Sequence, residues 1–257
     1  MNTVKRVAYF IGLPVLLIVL WWALTLGEPN FYAPTPQLLG QTFWEVWSGE
    51  RFLTDFLPSV IRLFIGLIAT IVLGIVFGVL IGSFRWLRSL TEPVLEFFRA
   101  IPPPVLVPLF ILLIGPTDQM RIAVIVSGAI WPVLLNTVEG VRAVDEVLTN
   151  TSRTYGITGF SRLRYLVLPA ASPQIMAGVR QSLSIGLILM VISEMFSASS
   201  GLGFTIVLFQ RTFAIPEMWS GIAVLGLIGI ALSLISKAIE GKVLRWYHGL
   251  KEVQRDS

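Results

Sequence analysis

Long runs without a charged residue recur along the chain, and short segments that carry most of the lysine and arginine separate them. A helix that crosses a bilayer needs about 20 mainly apolar residues. The sequence therefore predicts an all-α membrane protein with six transmembrane helices. The fifth is the least regular, because Glu194 falls within it. The predicted transmembrane runs are residues 7–27, 63–84, 100–117, 122–138, 181–199 and 218–236.

The first run follows Lys5 and Arg6, a pattern that also occurs at the start of secretory signal peptides. A retained helix is favoured because the run is longer than the apolar core of a signal peptide and contains Trp21 and Trp22. No Ala-x-Ala cleavage site ends the run. We therefore predict that the first helix stays on the protein.

Lysine and arginine are distributed unevenly between the two sides that six spans define. Of the 19 such residues, 15 fall on the side of the termini and 3 on the other, while Arg62 lies at the edge of the second run. Cytoplasmic loops carry an excess of these residues, so both termini are predicted to be cytoplasmic. Trp44 and Trp47 on the outer side and Trp86 on the inner side suit the membrane interfaces.

The composition agrees with this interpretation. Hydrophobic residues make up 55% of the chain, charged residues only 13%, and the mean hydropathy is +0.81. A soluble domain carries about 25% charged residues, which excludes an ordinary soluble enzyme. The chain has no cysteine and a single histidine, His248, so a disulfide framework, a zinc–thiolate site and a histidine-based triad are not expected. The net charge of +4 is explained by the cytoplasmic loops and does not indicate nucleic-acid binding.

The longest segment predicted to lie outside the membrane is the cytoplasmic stretch of residues 139–174. Apolar positions recur there at helical spacing, and Gly156 stands where a glycine ends a helix. Ser161 is predicted to cap a second short helix, which Pro169 stops. An amphipathic helix of this kind lies on the bilayer surface or docks into a partner, and its spacing alone leaves both open. The positions of its common face are Val144, Val147, Leu148, Thr151 and Tyr155.

The same segment resembles a known cytoplasmic signature. After Gly156 come nine residues and then Leu-Val-Leu-Pro at residues 166–169. Bacterial ABC-importer permeases have Glu-Ala-Ala, three residues, glycine, nine residues and Ile-x-Leu-Pro; here residues 150–152 are Asn-Thr-Ser instead of Glu-Ala-Ala. The resemblance covers about residues 57–244 and is closest to the nitrate/sulfonate/taurine permeases. Further similar segments are residues 99–110, 136–142, 152–156, 178–180 and 193–203.

The resemblance implies a type I ABC-importer permease fold, in a bacterial inner membrane, that forms the pathway for a small anionic solute. The implied partners are two ATPase subunits, a second permease copy in a homodimer, a periplasmic solute-binding protein and the bilayer, with no nucleic acid. The chain has no Gly-x4-Gly-Lys-Ser/Thr sequence, so we expect no enzymatic activity, no cofactor and no metal in this subunit. The residues expected to contact the ATPase are Val147, Leu148, Asn150, Thr151, Ser152, Tyr155, Gly156, Ser161, Leu168 and Pro169.

A single transmembrane domain is expected to cover the chain. Residues 1–56 would supply the first helix and an outer loop, residues 57–240 the permease core, and residues 241–257 a cytoplasmic tail.

Prolines and ionisable groups within the spans are candidates for the substrate pathway. Prolines 102, 103, 104 and 108 open the third run, and predict a broken helix along the pathway or a bent entry segment. Glu194 is either a pathway group or a buried acid bonded to Ser193, Ser197 or another helix. Arg62 either extends to the bilayer surface or faces the pathway. The pathway candidates are Arg62, Pro103, Pro104, Ser193, Glu194 and Ser197.

Two glycine patterns predict structure. Gly74, Gly78 and Gly82 follow the small-x3-small spacing of closely packed helices. Residues 197–203 are rich in serine and glycine and precede either a segment that re-enters the outer leaflet or a plain outer loop.

Two other functions remain open at the level of sequence. A stand-alone secondary transporter or channel would work without an ATPase, but no inverted repeat is visible. A non-transporting scaffold does not need prolines and an acid within its spans. The sequence does not identify the solute. It also does not distinguish a homodimer from a heterodimer.

Overall fold

The computed structural model describes residues 3–25 and 31–247, with side chains for residues 12–25, 31–196 and 198–247. This part of the chain is helical, as predicted, and its helices are joined by short turns. The α-helices are α1 (Thr3–Thr25), α2 (Pro36–Trp47), α3 (Leu57–Ser83), α4 (Arg85–Ala100), α5 (Leu106–Ile114), α6 (Asp118–Arg142), α7 (Glu146–Thr154), α8 (Gly159–Arg162), α9 (Leu168–Ser197), α10 (Leu202–Arg211) and α11 (Ile215–Val243). A 3-10 turn covers Pro103–Val105, and π-helical turns cover Phe52–Phe56 and Leu163–Val167.

The chain divides into two compact units. The first combines Met1–Pro58 with Ser199–Leu227, and the second combines Ser59–Ala198 with Ile228–Ser257.

Polar contacts hold the described part of the first unit together. Trp47 is buried and donates from Nε1 to Ser220 Oγ at 3.0 Å. The predicted interfacial position is therefore wrong for Trp47, whereas Trp44 is exposed. Asp55 Oδ1 accepts the backbone N–H of Gly201 at 2.9 Å, just before α10 begins. Because α10 is a regular helix, the alternative of a plain loop after residue 201 is wrong; its re-entry into the membrane stays a prediction.

The second unit is built around α6, which packs closely against α3. A Cβ atom added to Gly78 would lie 2.5 Å from Thr137 Cβ and 2.9 Å from the Leu134 carbonyl oxygen. Gly74 and Gly82 approach α6 in the same way, at Val133 and Val141. The small-x3-small spacing therefore predicted the helix contact correctly.

α6 also meets α9 over a long interface. A Cβ atom at Gly178 would lie 2.5 Å from the Pro132 carbonyl oxygen, so the two backbones touch there. An apolar core lies beside this contact and includes Val133, Ala171 and Ile175. Backbone contact of this kind is how helices associate in a membrane, where apolar burial alone gives little driving force.

Four continuous helices in the described residues are long and apolar enough to cross a membrane: Phe52–Ser83, Asp118–Arg142, Gly159–Phe196 and Ile215–Val243. The pair Arg85–Ala100 and Pro103–Ile114 passes the same test jointly but is bent by 77°. The described apolar part of α1, Gly12–Thr25, is shorter. These helices overlap the six predicted runs, but the number six itself stays a prediction.

The third predicted run is not one straight helix. It is interrupted after Ala100, and the 3-10 turn at Pro103–Val105 leads into α5, which ends at Ile114. Proline lacks a backbone N–H and disfavours helical geometry in the residue before it, so three consecutive prolines end α4 and restart the helix at a new angle. The prediction of a bent or broken segment is confirmed, and its crossing of the membrane as one span stays a prediction.

We predict that Gly78→Ala destabilises the protein by about 1–3 kcal/mol, the usual effect of overpacking. The reason is that the new Cβ atom meets Thr137 Cβ at 2.5 Å. The measurement is the midpoint of thermal unfolding in detergent, followed by tryptophan fluorescence. Gly226→Ala in α11 is the control, because no atom lies within 4 Å of its added Cβ. Equal midpoints for the two variants would contradict close α3–α6 packing.

Candidate functional site

The cytoplasmic segment predicted from the sequence contains a short helix, α7, with capped ends. Asp145 precedes it and accepts the backbone N–H of Leu148 at 3.0 Å, which is a standard N-cap. At the other end, the N–H of Ile157 donates to the Ser152 carbonyl oxygen at 2.8 Å, and that of Gly156 donates to the Arg153 carbonyl oxygen at 3.0 Å. This pair of bonds is the Schellman motif, so the turn has a defined geometry.

Glycine is required in this turn at two positions. Gly156 has φ +68° and Gly159 has φ +57°, in the left-handed region that side chains with a Cβ atom rarely adopt. The prediction that Gly156 ends the helix is confirmed. Sequence reasoning missed Gly159, although a second glycine three residues later is the signal that points to it.

Two predictions about the second helix of this segment are wrong. Thr158, and not Ser161, occupies the N-cap position of α8, and Ser161 lies inside the helix. Pro169 does not stop the helix, because α8, the π-helical turn and α9 continue as one apolar helix over Gly159–Phe196. The wider π-helical turn at Leu163–Val167 lies directly before Leu168 and Pro169, and accommodates a residue that lacks a backbone N–H.

The predicted contact residues divide into an exposed and an anchored group. Val147 and Tyr155 are 71% and 78% exposed, and Leu148 is also exposed. Ser152 is buried, and Leu168 packs against the core of the second unit. The exposed predicted contact residues are Val147, Leu148, Asn150, Thr151, Tyr155, Gly156 and Ser161. α7 therefore presents exposed apolar side chains, while its own Ser152 is buried and the chain that follows it is anchored to the core at Leu168.

A second cluster lies where α3, α6 and α9 meet. Glu194 is fully buried and accepts from Ser59 Oγ at 2.7 Å and from Arg62 Nη1 at 2.9 Å. Arg62 Nε also donates to Asp118 Oδ1 at 2.9 Å, and Arg121 Nη1 donates to the same oxygen at 2.6 Å. We call these five residues the charge network.

The charge network defines the partners of Arg62 and Glu194, whereas their role in the substrate pathway stays a prediction. Arg62 is buried, so an arginine that extends to the bilayer surface is wrong. Glu194 is bonded to a neighbouring helix, while Ser193 donates to the Met190 carbonyl oxygen instead. The side chain of Ser197 lies outside the described residues. Sequence reasoning missed Ser59, Asp118 and Arg121; Asp118 and Arg121 carry a signal, since they are an i,i+3 acid–base pair directly before an apolar run.

The charge network has two arginines and two carboxylates, so its formal charges cancel. Its burial is uneven: both arginines and Glu194 are nearly inaccessible, whereas the Asp118 side chain is 59% exposed. Burying an ion pair costs hydration, and removing one partner leaves an uncompensated buried charge. The four groups therefore depend on one another and fix the ends of three helices.

An open groove of about 480 Å³ lies along α6 and α9 in the second unit. Pro103 and Pro104 line it, as expected if the broken helix borders a pathway. Gly128 allows this arrangement, because a Cβ atom there would lie 2.7 Å from Pro103 Cβ and 2.3 Å from Leu189 Cδ1. The polar side chains among the lining residues are Arg99, Trp131, Asn136 and Gln181.

We predict that Arg62→Met and Glu194→Gln each destabilise the protein by about 3–5 kcal/mol, because each leaves a buried charge uncompensated. The double variant should lose clearly less than the sum of the two. The control is Glu139→Gln, which breaks the ion pair between Glu139 and Arg142. Their side chains are 61% and 43% exposed, so this variant should lose less than about 1 kcal/mol of stability. Additive losses in thermal unfolding would show that Arg62 and Glu194 do not interact.

Comparison with known proteins identifies the family. The sequence profile of the family described as "Binding-protein-dependent transport system inner membrane component" matches residues 70–247. The chain is 31% identical to a putative aliphatic sulfonates transport permease protein, SsuC, of Bacillus subtilis, over 94% of this chain and 89% of that protein. It is 28% identical to the taurine transport system permease protein TauC of Escherichia coli, over 97% and 92%.

The fold agrees with this assignment. A chain of the MetNI methionine ABC transporter, solved in inward-facing conformations, superposes with a TM-score of 0.57 at 19% identity, covering 80% of this chain and 96% of that one. The chain therefore belongs to the binding-protein-dependent transport system inner membrane components, as an ABC-importer permease of the nitrate/sulfonate/taurine type and a multi-pass inner-membrane protein.

Proposed function

We propose that this chain is the permease subunit of an ATP-driven importer and transmits conformational change from separate ATPase subunits through α7. The observation that carries the proposal is the set of exposed apolar side chains at the two ends of α7, with Val147 and Leu148 in its first turn and Tyr155 directly after its last residue. An exposed apolar patch on a structured, capped element is typical of an interaction site. Since the chain has no nucleotide-binding motif, the energy of ATP must enter through such a contact, and the chain itself needs no cofactor.

The structure supports a mechanical role because α7 is connected to the bundle on both sides without a loose linker. α6 ends at Arg142, three residues before the Asp145 cap of α7. After the Gly156 turn the chain enters the continuous helix Gly159–Phe196. A displacement of α7 would therefore move α6 and α9 directly, and with them the groove.

The topology that fits this role has six spans and cytoplasmic termini. The distribution of 15 lysines and arginines on the side of the termini against 3 on the other supports it. α7 lies on the side with the excess, where cytosolic ATPases would meet it. Two permease copies and two ATPase subunits complete the proposed assembly, because a groove open along one side needs a second wall to become a closed pathway.

The proposed solute is a small anion delivered by a binding protein. The similar proteins SsuC and TauC are named for the transport of aliphatic sulfonates and of taurine, which supports a sulfonate or a related anion. Within this chain, the Arg99 side chain at the groove supports the same class, because guanidinium groups bind sulfonates and carboxylates by charge-assisted hydrogen bonds. The alternative, a transporter or channel that works alone, does not explain why the apolar side chains of α7 are exposed.

Crosslinking tests the contact directly. Because the chain has no cysteine, single cysteines at Thr154 and Ser161, both exposed, give unambiguous products. We expect both to crosslink to the co-purified ATPase subunit. A cysteine at Thr212, exposed at the end of α10 and predicted to be on the outer side, is the control and should not react with it. An assembled complex in which neither Thr154 nor Ser161 crosslinks would refute α7 as the contact.

Gly156→Val should uncouple ATP hydrolysis from transport, because valine is strained at φ +68°. No atom lies within 4 Å of an added Cβ at Gly156, so the effect comes from the backbone and not from a clash. Gly156→Asn should retain most coupling, since asparagine tolerates the left-handed region. Gly241→Val, at an equally open position in α11, is the control for added bulk. Wild-type hydrolysis and transport in Gly156→Val would contradict the proposed role of the turn.

A further inference from the structure

The amphipathic helix α4, which follows α3 after one residue, has a large exposed surface that the permease function does not explain. Along its 16 residues no side chain is buried. Trp86, Leu90 and Phe97 are 66%, 65% and 65% exposed, and Val94 and Phe98 are exposed as well.

The apolar and polar side chains of α4 lie on opposite sides. At 100° per residue, Trp86, Leu90, Val94 and Phe97 fall on one arc, and the charged residues fall on the arc opposite. Leu87 and Leu95, towards one edge, pack against the core formed by Ile81, Leu134 and Val138. The charged residues of the polar arc are Arg85, Arg88, Glu92, Glu96 and Arg99.

Covalent connections place α4 at the level of a membrane surface. Only Phe84 separates the apolar helix α3 from the first residue of α4. Two residues, Ile101 and Pro102, separate the last residue of α4 from the 3-10 turn that leads into α5. The axis of α4 is bent by 77° from that of the following helix. If α3 and α5 run through the bilayer, α4, about 24 Å long, lies nearly along the bilayer surface.

We propose that the apolar arc of α4 is buried in the lipid at the boundary between headgroups and acyl chains. Lipid fits this surface better than a protein partner, because the arc is apolar over the length of the helix and the charged residues lie on the opposite arc. Trp86 is a side chain typical of the interfacial region, and Arg85 and Arg88 in the first turns can reach phosphate groups. α4 would then fix the level at which α5 starts, and so the position of Pro103 and Pro104 in the groove.

Spin-label accessibility tests this proposal in the assembled permease–ATPase complex. Single cysteines replace Leu90 and Val94 on the apolar arc, and Ser89 and Glu92 on the polar arc are the matched controls on the same helix. All four side chains are exposed, so the labels should not disturb packing. The complex is reconstituted into vesicles of phosphatidylethanolamine and phosphatidylglycerol, and collisions with oxygen and with a water-soluble nickel chelate are measured.

We expect the ratio of oxygen to nickel collisions to be several-fold higher at Leu90 and Val94 than at Ser89 and Glu92. Equal ratios on both arcs would overturn the proposal, because the helix would then be surrounded by water. Low collision rates with both reagents at Leu90 and Val94 would also overturn it, since protein would cover the arc. In that case, dipolar broadening between labels would identify a second permease copy, and its absence would identify another subunit.

Discussion

The close approach of α6 to α3 and to α9 is the interaction on which the second unit depends. Glycines on α3 and at Gly178 bring backbones into contact, and in a membrane this contact replaces the burial of apolar area that stabilises soluble proteins. Three features then follow along α6: the charge network at its first turn, the groove in its middle and the connection to α7 at its end. Both ends of the second unit are therefore connected by one closely packed helix.

The charge network shows what that packing makes possible. Fixed helices let Arg62 reach Glu194 and Asp118 at 2.9 Å, so that a fully buried carboxylate keeps its partners. Asp118 is the exposed member, and it is therefore the group through which solvent can influence the network. The network and α7 lie at opposite ends of α6 and α9, which gives the bundle one polar junction at each end.

Elements with a local cause could be predicted from the sequence. The apolar runs predicted α3, α6, α9 and α11, and the glycine spacing predicted the α3–α6 contact. The helix end at Gly156 followed from its place after an amphipathic helix. Features that depend on distant partners or on irregular turns could not be predicted. The pairing of Arg62 with Glu194 needs helices that only the fold brings together, and no local pattern indicates the π-helical turn that accommodates Pro169. The position of the bend before α5 could be predicted from the prolines, but the angle of 77° could not be predicted.

The central claim is that transport through this chain is driven from its cytoplasmic side. Its most direct test is uptake into proteoliposomes that contain the permease with its ATPase subunits, using a radiolabelled solute first identified as the ligand of the cognate binding protein. With the binding protein and solute on one side and ATP on the other, the account predicts accumulation that requires all three and is lost when ATP is omitted. Equal uptake by the permease reconstituted alone, without ATPase subunits or ATP, would contradict it.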